Sequence, residues 1–277
     1  MSMNEDFTRG FFNTLVILRS YLSEIVIGGG WAPFLYYRYL VGDRNHAPVR
    51  TSDIDLIVKH HVPKFGSKTI DELLTEANLE AKFKTLDTPP IIHYEGKIEG
   101  ADVEIEFLTD QTGSRPNTVL EVQKGLHAEA LRYVSILVEN TLELVIDDVG
   151  TIQDGPPIIV QVPTPAAYIF QKGLSFTRRR DQQKASKDLY YIFDILAGLP
   201  GIQDKMSADF ETFSKKHAEW YRKFLSNLTT YFKSPASEGS LRIVEQRPAD
   251  AFPGLDDDQM KHHAFGTLEQ FILNLSR

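Results

Sequence analysis

The chain contains no cysteine. That excludes disulfides, a thiolate nucleophile, and any zinc or iron–sulfur centre built on cysteine. It lacks an uninterrupted apolar run approaching the roughly 20 residues a membrane-spanning helix needs, and Arg38 breaks the best candidate. Positive charge is in deficit: 30 Lys and Arg face 38 Asp and Glu, a net charge of −8. This argues against a broad nucleic-acid-binding surface, so any polyanion contact has to come from a local basic patch. Met1 to Gly10 carries acids and no apolar core of the secretory kind, so the expected location is cytoplasmic. There is no internal repeat and no low-complexity tract.

What is present is an ordinary globular composition over 277 residues, 42% hydrophobic and 25% charged. That length suits one large domain or two modest ones. The stretch from Ile25 to Val58 organises the rest. The apolar Ile25-Val26-Ile27 ends in the glycine turn Gly28-Gly29-Gly30, and Arg50-Thr51-Ser52-Asp53-Ile54-Asp55 flows into Leu56-Ile57-Val58. Strand side chains alternate between faces. Asp53 and Asp55 therefore point one way, while Ile54, Leu56 and Val58 point into a core. Two carboxylates on one face repel unless something positive neutralises them. Hard oxygen ligands favour magnesium over soft-ligand metals. The same pair also suits a solvated strand edge. The glycine turn adds weight to the metal reading, because it lets backbone approach a bulky anion closely and offers N–H donors to phosphate oxygens.

Along the chain, Phe7, Phe11, Leu15, Leu18 and Leu22 recur at helical spacing and predict an amphipathic first helix. Glu24–Ile27 reads as a strand and Trp31–Leu40 as a helix with Pro33 in its first turn. Its aromatics suit a core better than base stacking. His46 is a loop histidine without an assigned role, and Lys59-His60-His61 is solvated. Thr69 to Lys84 reads as a helix, with Thr69 and Glu72 placed as a capping box. Pro89-Pro90 breaks the chain. Ile91–Tyr94 and Val103–Leu108 read as strands. In the second, Val103, Ile105 and Phe107 share one face and Asp102, Glu104 and Glu106 the other. The acids form either a charged outer face or the source of a third carboxylate beside Asp53 and Asp55.

Thr118–Val122 and Thr141–Ile146 are predicted strands with a helix over Leu126–Val138 between them. Ile158–Val162 is a further strand. Thr164-Pro165 is a helix start, Thr as N-cap and Pro at N1. The composition then turns helical, which predicts domains at 1–162 and 163–277. Leu189, Ile192, Phe193 and Leu196 form an apolar stripe, and the opposite face presents Lys184, Lys187, Asp188, Tyr191 and Asp194. With Lys172 and Arg178-Arg179-Arg180 upstream, this is the one concentrated basic patch in an acidic chain. Helices are expected over Ala208–Phe232 and Asp258–Leu275, separated by a loop rich in Pro, Gly, Ser and Asp over Lys233–Asp257.

The ordered set Gly29-Gly30-Trp31-Ala32, Arg50-Thr51-Ser52-Asp53-Ile54-Asp55 and Glu106-Phe107-Leu108 resembles the DNA polymerase beta-like nucleotidyltransferase superfamily. That pattern is a Gly-Gly turn, an Asp-x-Asp strand and a third acid on a later strand. Lys172, Arg178, Lys187-Asp188 and Asp194 follow the order of a helical motif in bacterial minimal and abortive-infection (AbiEii-type) toxin nucleotidyltransferases. Three glycines stand where two suffice, and Glu104 competes with Glu106 for the third place. Glu106 is preferred for its Glu-Phe-Leu-Thr strand ending.

The resemblance implies an α+β fold, a nucleotidyltransferase core of mixed β-sheet flanked by helices followed by a helical C-terminal region. It implies transfer of a nucleoside monophosphate from an NTP to a hydroxyl acceptor, with pyrophosphate leaving. Asp53, Asp55 and Glu106 would hold two magnesium ions (manganese as a substitute) about 3.5–4 Å apart. Gly29, Gly30 and Ser52 would contact phosphates, with Arg50 a phosphate or acid partner. Lys172 and Arg178 would neutralise charge on the leaving group. Lys187 and Asp188 belong either to that site or to a structural ion pair. The implied acceptor is tRNA or other RNA, a protein or a small molecule such as an aminoglycoside. The implied partner is a cognate antitoxin, and no membrane is involved. A catalytically weak nucleotide-binding module of the same fold is the competing reading.

Overall fold

The computed structural model describes residues 3–46, 51, 53–83, 92–111, 113, 118–147, 156–199 and 201–276. Arg50, Ser52 and the Pro89-Pro90 break lie outside the described residues. The fold is α+β. The chain forms two compact units, Met1–Leu35 with Thr51–Pro163, and Tyr36–Arg50 with Thr164–Arg277.

The first unit begins with α1 (Met3–Ile17), a 3-10 segment, β1 (Ile25–Ile27) and α2 (Trp31–Leu35). Then come β2 (Asp53–Val58), α3 (Ile70–Glu76), β3 (Leu79–Phe83), β4 (Ile92–Ile98) and β5 (Ala101–Asp110). The unit closes with β6 (Thr118–Gln123), β7 (Leu126–Leu131), α4 (Ser135–Glu139), β8 (Thr141–Ile146) and β9 (Ile158–Pro163). The strands make one mixed sheet in the order β3-β4-β5-β2-β1-β9-β8, with β7 also beside β5 and β6 beside β7. β2 runs antiparallel to β1 and parallel to β5. Alternation explains the layering. Ile54, Leu56, Val103, Ile105 and Phe107 are buried on one face of the sheet, and Phe11 and Leu15 of α1 are buried as well. Burial of each such side chain contributes about 1.5–3 kcal/mol. α1 approaches closely because residue 10 is glycine: a Cβ there would lie 2.9 Å from Val103 Cγ2.

Two helical expectations in this unit fail. The helix starting at Thr69 has its capping box with Glu72, as expected. It stops at Ala77, Asn78 takes φ +62°, and the chain continues as strand β3 rather than as helix to Lys84. Leu126–Val138 is not one helix. Leu126, Ala128 and Ala130 are buried at period two, so the segment hairpins onto β6 as β7, and only Ser135–Glu139 is helical. Small alanines at alternate positions hid the strand.

In the second unit Tyr36–Leu40 makes a π-helical turn. The unit otherwise comprises α5 (Pro165–Ser175), α6 (Gln182–Gly198), α7 (Ile202–Lys216), α8 (Ala218–Tyr231), α9 (Glu238–Gln246) and α10 (Asp257–Leu275). Thr164 caps α5, its side chain accepting from Ala167 N–H. α5 is buried all round, as a central helix should be. The single helix expected over Ala208–Phe232 is two helices broken at His217. Phe210 and Phe224 stack with centroids 5.7 Å apart. A straight helix would hold them about 21 Å apart at 1.5 Å per residue, so their burial forces the chain to turn back. The loop expected over Lys233–Asp257 contains α9. Its Gly239 admits the Phe232 ring, which a Cβ would meet at 2.6 Å.

Candidate active site

β2 and β5 pair in parallel with Asp53 opposite Glu104 and Asp55 opposite Glu106. The alternation that buries Ile54 and Ile105 therefore turns four acids to the other face. Asp53, Asp55 and Glu106 offer carboxylate oxygens that all lie within 4.8 Å of one another. Asp53 and Asp55 are half-exposed and Glu106 is buried. Two unit charges at that distance repel by about 1 kcal/mol in water and about 3.5 kcal/mol at an effective dielectric of 20. Three of them make an arrangement that a hard divalent cation relieves, and carboxylate oxygens are the donors such ions take.

Neighbouring backbone fixes the acids. Gly28 N–H donates to the Asp55 carbonyl at 2.8 Å, and Trp31 Nε1–H to the Asp53 carbonyl at 3.1 Å. Trp31 in turn stacks on Phe11 at 3.9 Å. Gly29 takes φ +53°, and a Cβ there would fall 1.9 Å from Asp55 Oδ2. The turn is thus glycine both for its backbone angle and for the carboxylate against it. Gly28 is equally confined, since its Cβ would meet Ile57 Cδ1 at 2.8 Å. Gly30 is buried at the start of α2. The sequence reading overlooked Thr51, whose hydroxyl donates to Asp53 Oδ1. Its only signal was a hydroxyl two residues before the first acid. Glu104 faces the same way as Glu106 but lies outside the three-acid cluster.

The second unit holds the basic residues. Lys172 Nζ lies 2.7 Å from Asp188 Oδ1, and Arg179 Nε donates to Asp188 Oδ2 at 2.9 Å. Lys172 and Asp188 are buried, and the ammonium sits 5.4 and 5.8 Å from the Tyr168 and Tyr191 ring centres. Asp188 thus pairs with Lys172 and Arg179, not with Lys187, which is half-exposed. Arg178 is exposed. The face of α6 opposite its apolar stripe is not open to solvent along its length. Asp188, Tyr191 and Asp194 are buried, and of the residues named for that face only Lys184 is exposed. His46, left without a role by sequence, stacks on Tyr37 at 3.4 Å and places Nε2 3.1 Å from Asp194 Oδ2.

The sequence profile of a family described as nucleotidyltransferase matches residues 20–201, well over half of the chain. The chain belongs to this nucleotidyltransferase family. The match runs through the glycine turn, the three acids and the Lys172–Asp188 region alike. A solved structure, an antigenic nucleotidyltransferase-like protein from Paracoccidioides brasiliensis, is similar at 18% identity. It covers 81% of this chain and 94% of that chain with a TM-score of 0.38, too low to add to the assignment. No curated protein matches the nucleotidyltransferase significantly. No helix among its described residues is long and apolar enough to cross a membrane.

Proposed function

We propose that this nucleotidyltransferase moves a nucleoside monophosphate from an NTP to a hydroxyl acceptor, with Asp53, Asp55 and Glu106 as its catalytic carboxylates. The observation that carries the reading is the convergence of those three acids on one cation-sized spot. A protein that only bound nucleotide would gain nothing from bringing three like charges so close together. The donor set fits magnesium or manganese, and Asp53, Asp55 and Glu106 would hold the metal. When bound, such ions lower the pKa of an attacking hydroxyl and neutralise charge building on phosphate oxygens. Asp53 is oriented for this by Thr51 and Asp55 by Gly28 and Gly29. Glu106 is the acid best screened from water and suits a role as base toward the acceptor hydroxyl.

The glycine turn at Gly29 and Gly30 would take phosphate oxygens, assisted by Arg50 and Ser52. Lys172 is read as a phosphate-facing cation, with Arg178 or the neighbouring Arg179 beside it; Asp188 holds Lys172 in place, and Lys187 remains a further phosphate contact. A toxin-type role with a cognate antitoxin, and an RNA, protein or small-molecule acceptor, extend the same reading. Incubation with magnesium and labelled NTP tests it. Wild type releases pyrophosphate, while Asp53→Ala and Asp55→Ala release none and melt no lower than wild type. Transfer retained in both variants would end the mechanism.

A further inference from the structure

The third carboxylate has a buried neighbour with no part in the proposed transfer. Register sets His93 of β4 directly across from Glu106 of β5, in the same rung as Asp55 of β2. Opposite side chains share a face, with Cβ atoms about 4.5–5.5 Å apart. Tyr94, next along β4, packs its ring against Phe107 on the apolar side. Alternation therefore turns His93 to the side of the acids.

His93 is 7% exposed, and its Nε2 lies 3.1 Å from Glu95 Oε2. The other oxygen of Glu95 engages Lys82. Hydrogen bonds from Lys82 and then from His93 hold the Glu95 carboxyl below the usual range. An ionised carboxylate only accepts, so Nε2 carries the hydrogen, and in the neutral ring Nδ1 keeps a lone pair alone. That nitrogen is buried, and no described residue gives it a hydrogen bond. Buried polar atoms nearly always have a partner, so Nδ1 wants a donor that these residues do not supply.

The rung indicates what the donor is. The ligand atoms that close within 4.8 Å of one another belong to Asp53, Asp55 and Glu106, and His93 is not among them. His93 is thus a neighbour of the cluster and not a fourth ligand. Three carboxylates leave part of an octahedral shell open, and magnesium dehydrates reluctantly, so it keeps waters there. Such a water lies about 2.1 Å from the ion and reaches a nitrogen about 2.9 Å further on. A lone pair across the rung from a ligand is placed to receive it.

Resting on the reading that Asp53, Asp55 and Glu106 hold a divalent cation, we propose that His93 is a positioning residue of that centre. Its Nδ1 accepts a hydrogen bond from a water on the ion. Glu95, anchored by Lys82, fixes the ring and its tautomer. The chain Lys82–Glu95–His93 is then an outer support for the cation, drawn from two strands that carry none of its ligands.

Titration with manganese, followed by electron paramagnetic resonance without nucleotide, tests this. Wild type should bind the ion and Asp55→Ala should not. His93→Gln keeps an amide N–H within reach of Glu95 but has no acceptor where Nδ1 stood. It should bind manganese about 10-fold more weakly, the lower end of what such outer partners contribute. His93→Asn loses the reach to Glu95 but sets its amide oxygen near the place of Nδ1, and should recover most of the affinity. A side chain that only filled space would show the reverse order, because asparagine is the smaller. Wild-type affinity in His93→Gln, or losses as large in His93→Asn, would overturn the proposal and leave an Asp55-dependent metal site standing. Binding indifferent to Asp55→Ala would sink the metal reading and this proposal with it. The unaltered protein gives a second measurement. With isotope-labelled histidine, the His93 Nδ1 resonance should shift when magnesium is added, and a resonance that stays in place would also overturn the proposal.

Discussion

Gly29→Ala separates backbone strain from damage to the site. At φ +53° an alanine pays about 1–2 kcal/mol for the left-handed backbone. For a chain of this size that is a fall of several degrees in Tm. The new methyl would also stand 1.9 Å from Asp55 Oδ2. To restore ordinary contact near 3.4 Å the carboxylate has to retreat by about 1.5 Å. A misplacement of 1 Å costs on the order of 100-fold in rate. The variant should therefore stay folded, lose at least 100-fold in kcat/KM for nucleotide transfer, and bind manganese more weakly. Gly100→Ala is the control. Gly100 has φ +83° at the β4–β5 turn, but nothing within 4 Å of its Cβ. It should show a similar drop in Tm and unchanged transfer. If Gly29→Ala keeps transfer within a few-fold of Gly100→Ala, the link between this turn and Asp55 is wrong.

Other expectations follow from single contacts. Thr51→Val removes the hydroxyl from Asp53 and should lower transfer by up to about 10-fold, a hydrogen bond to a charged group, with Tm nearly constant. Asp188→Asn leaves the buried Lys172 short of its carboxylate and should destabilise by about 3–5 kcal/mol in chemical denaturation; a loss under 1 kcal/mol would show the triad to be dispensable. Gly173→Ala drives a methyl to 2.4 Å from the Phe224 ring and should cost about 1–3 kcal/mol. Burial raises the Tyr36, Tyr37, Tyr94 and Tyr190 hydroxyls above the usual value, with acceptors at Asp71 and Asp194 adding to it for Tyr94 and Tyr37. Their raised folded values mean stability is complete below about pH 10 and is lost as pH rises above it. Ultraviolet titration should show these tyrosines ionising late and together with unfolding; early ionisation of all eleven tyrosines in the chain would contradict it.

The two acid-bearing strands were legible because their alternation is strict. Asp53, Asp55 and Glu106 alternate with the buried Ile54, Leu56, Ile105 and Phe107, so period two fixed the facing of the three acids. The cap at Thr69 and the start at Thr164 were legible for a local reason, a side chain meeting an N–H three residues on. What failed depended on distant contacts. Nothing local in Leu126–Val138 reveals that β6 waits beside it, and nothing near His217 reveals that Phe210 must reach Phe224. His46 was opaque for the same reason, since its partner Asp194 lies 148 residues away. Burial on α6 was not legible either: Asp188 and Asp194, on the charged face opposite the apolar stripe, are enclosed.

Parallel pairing of β2 with β5 ties the spacing of the acids to the oily side of the same two strands. Sliding one strand by a single residue would send every carboxylate into the hydrocarbon layer and every aliphatic into water. The distance between the carboxylates is thus guarded by residues that never meet a nucleotide. Drift in this part of the molecule has to proceed by exchanging side chains at fixed posts, because shifting the posts themselves would unfold the protein.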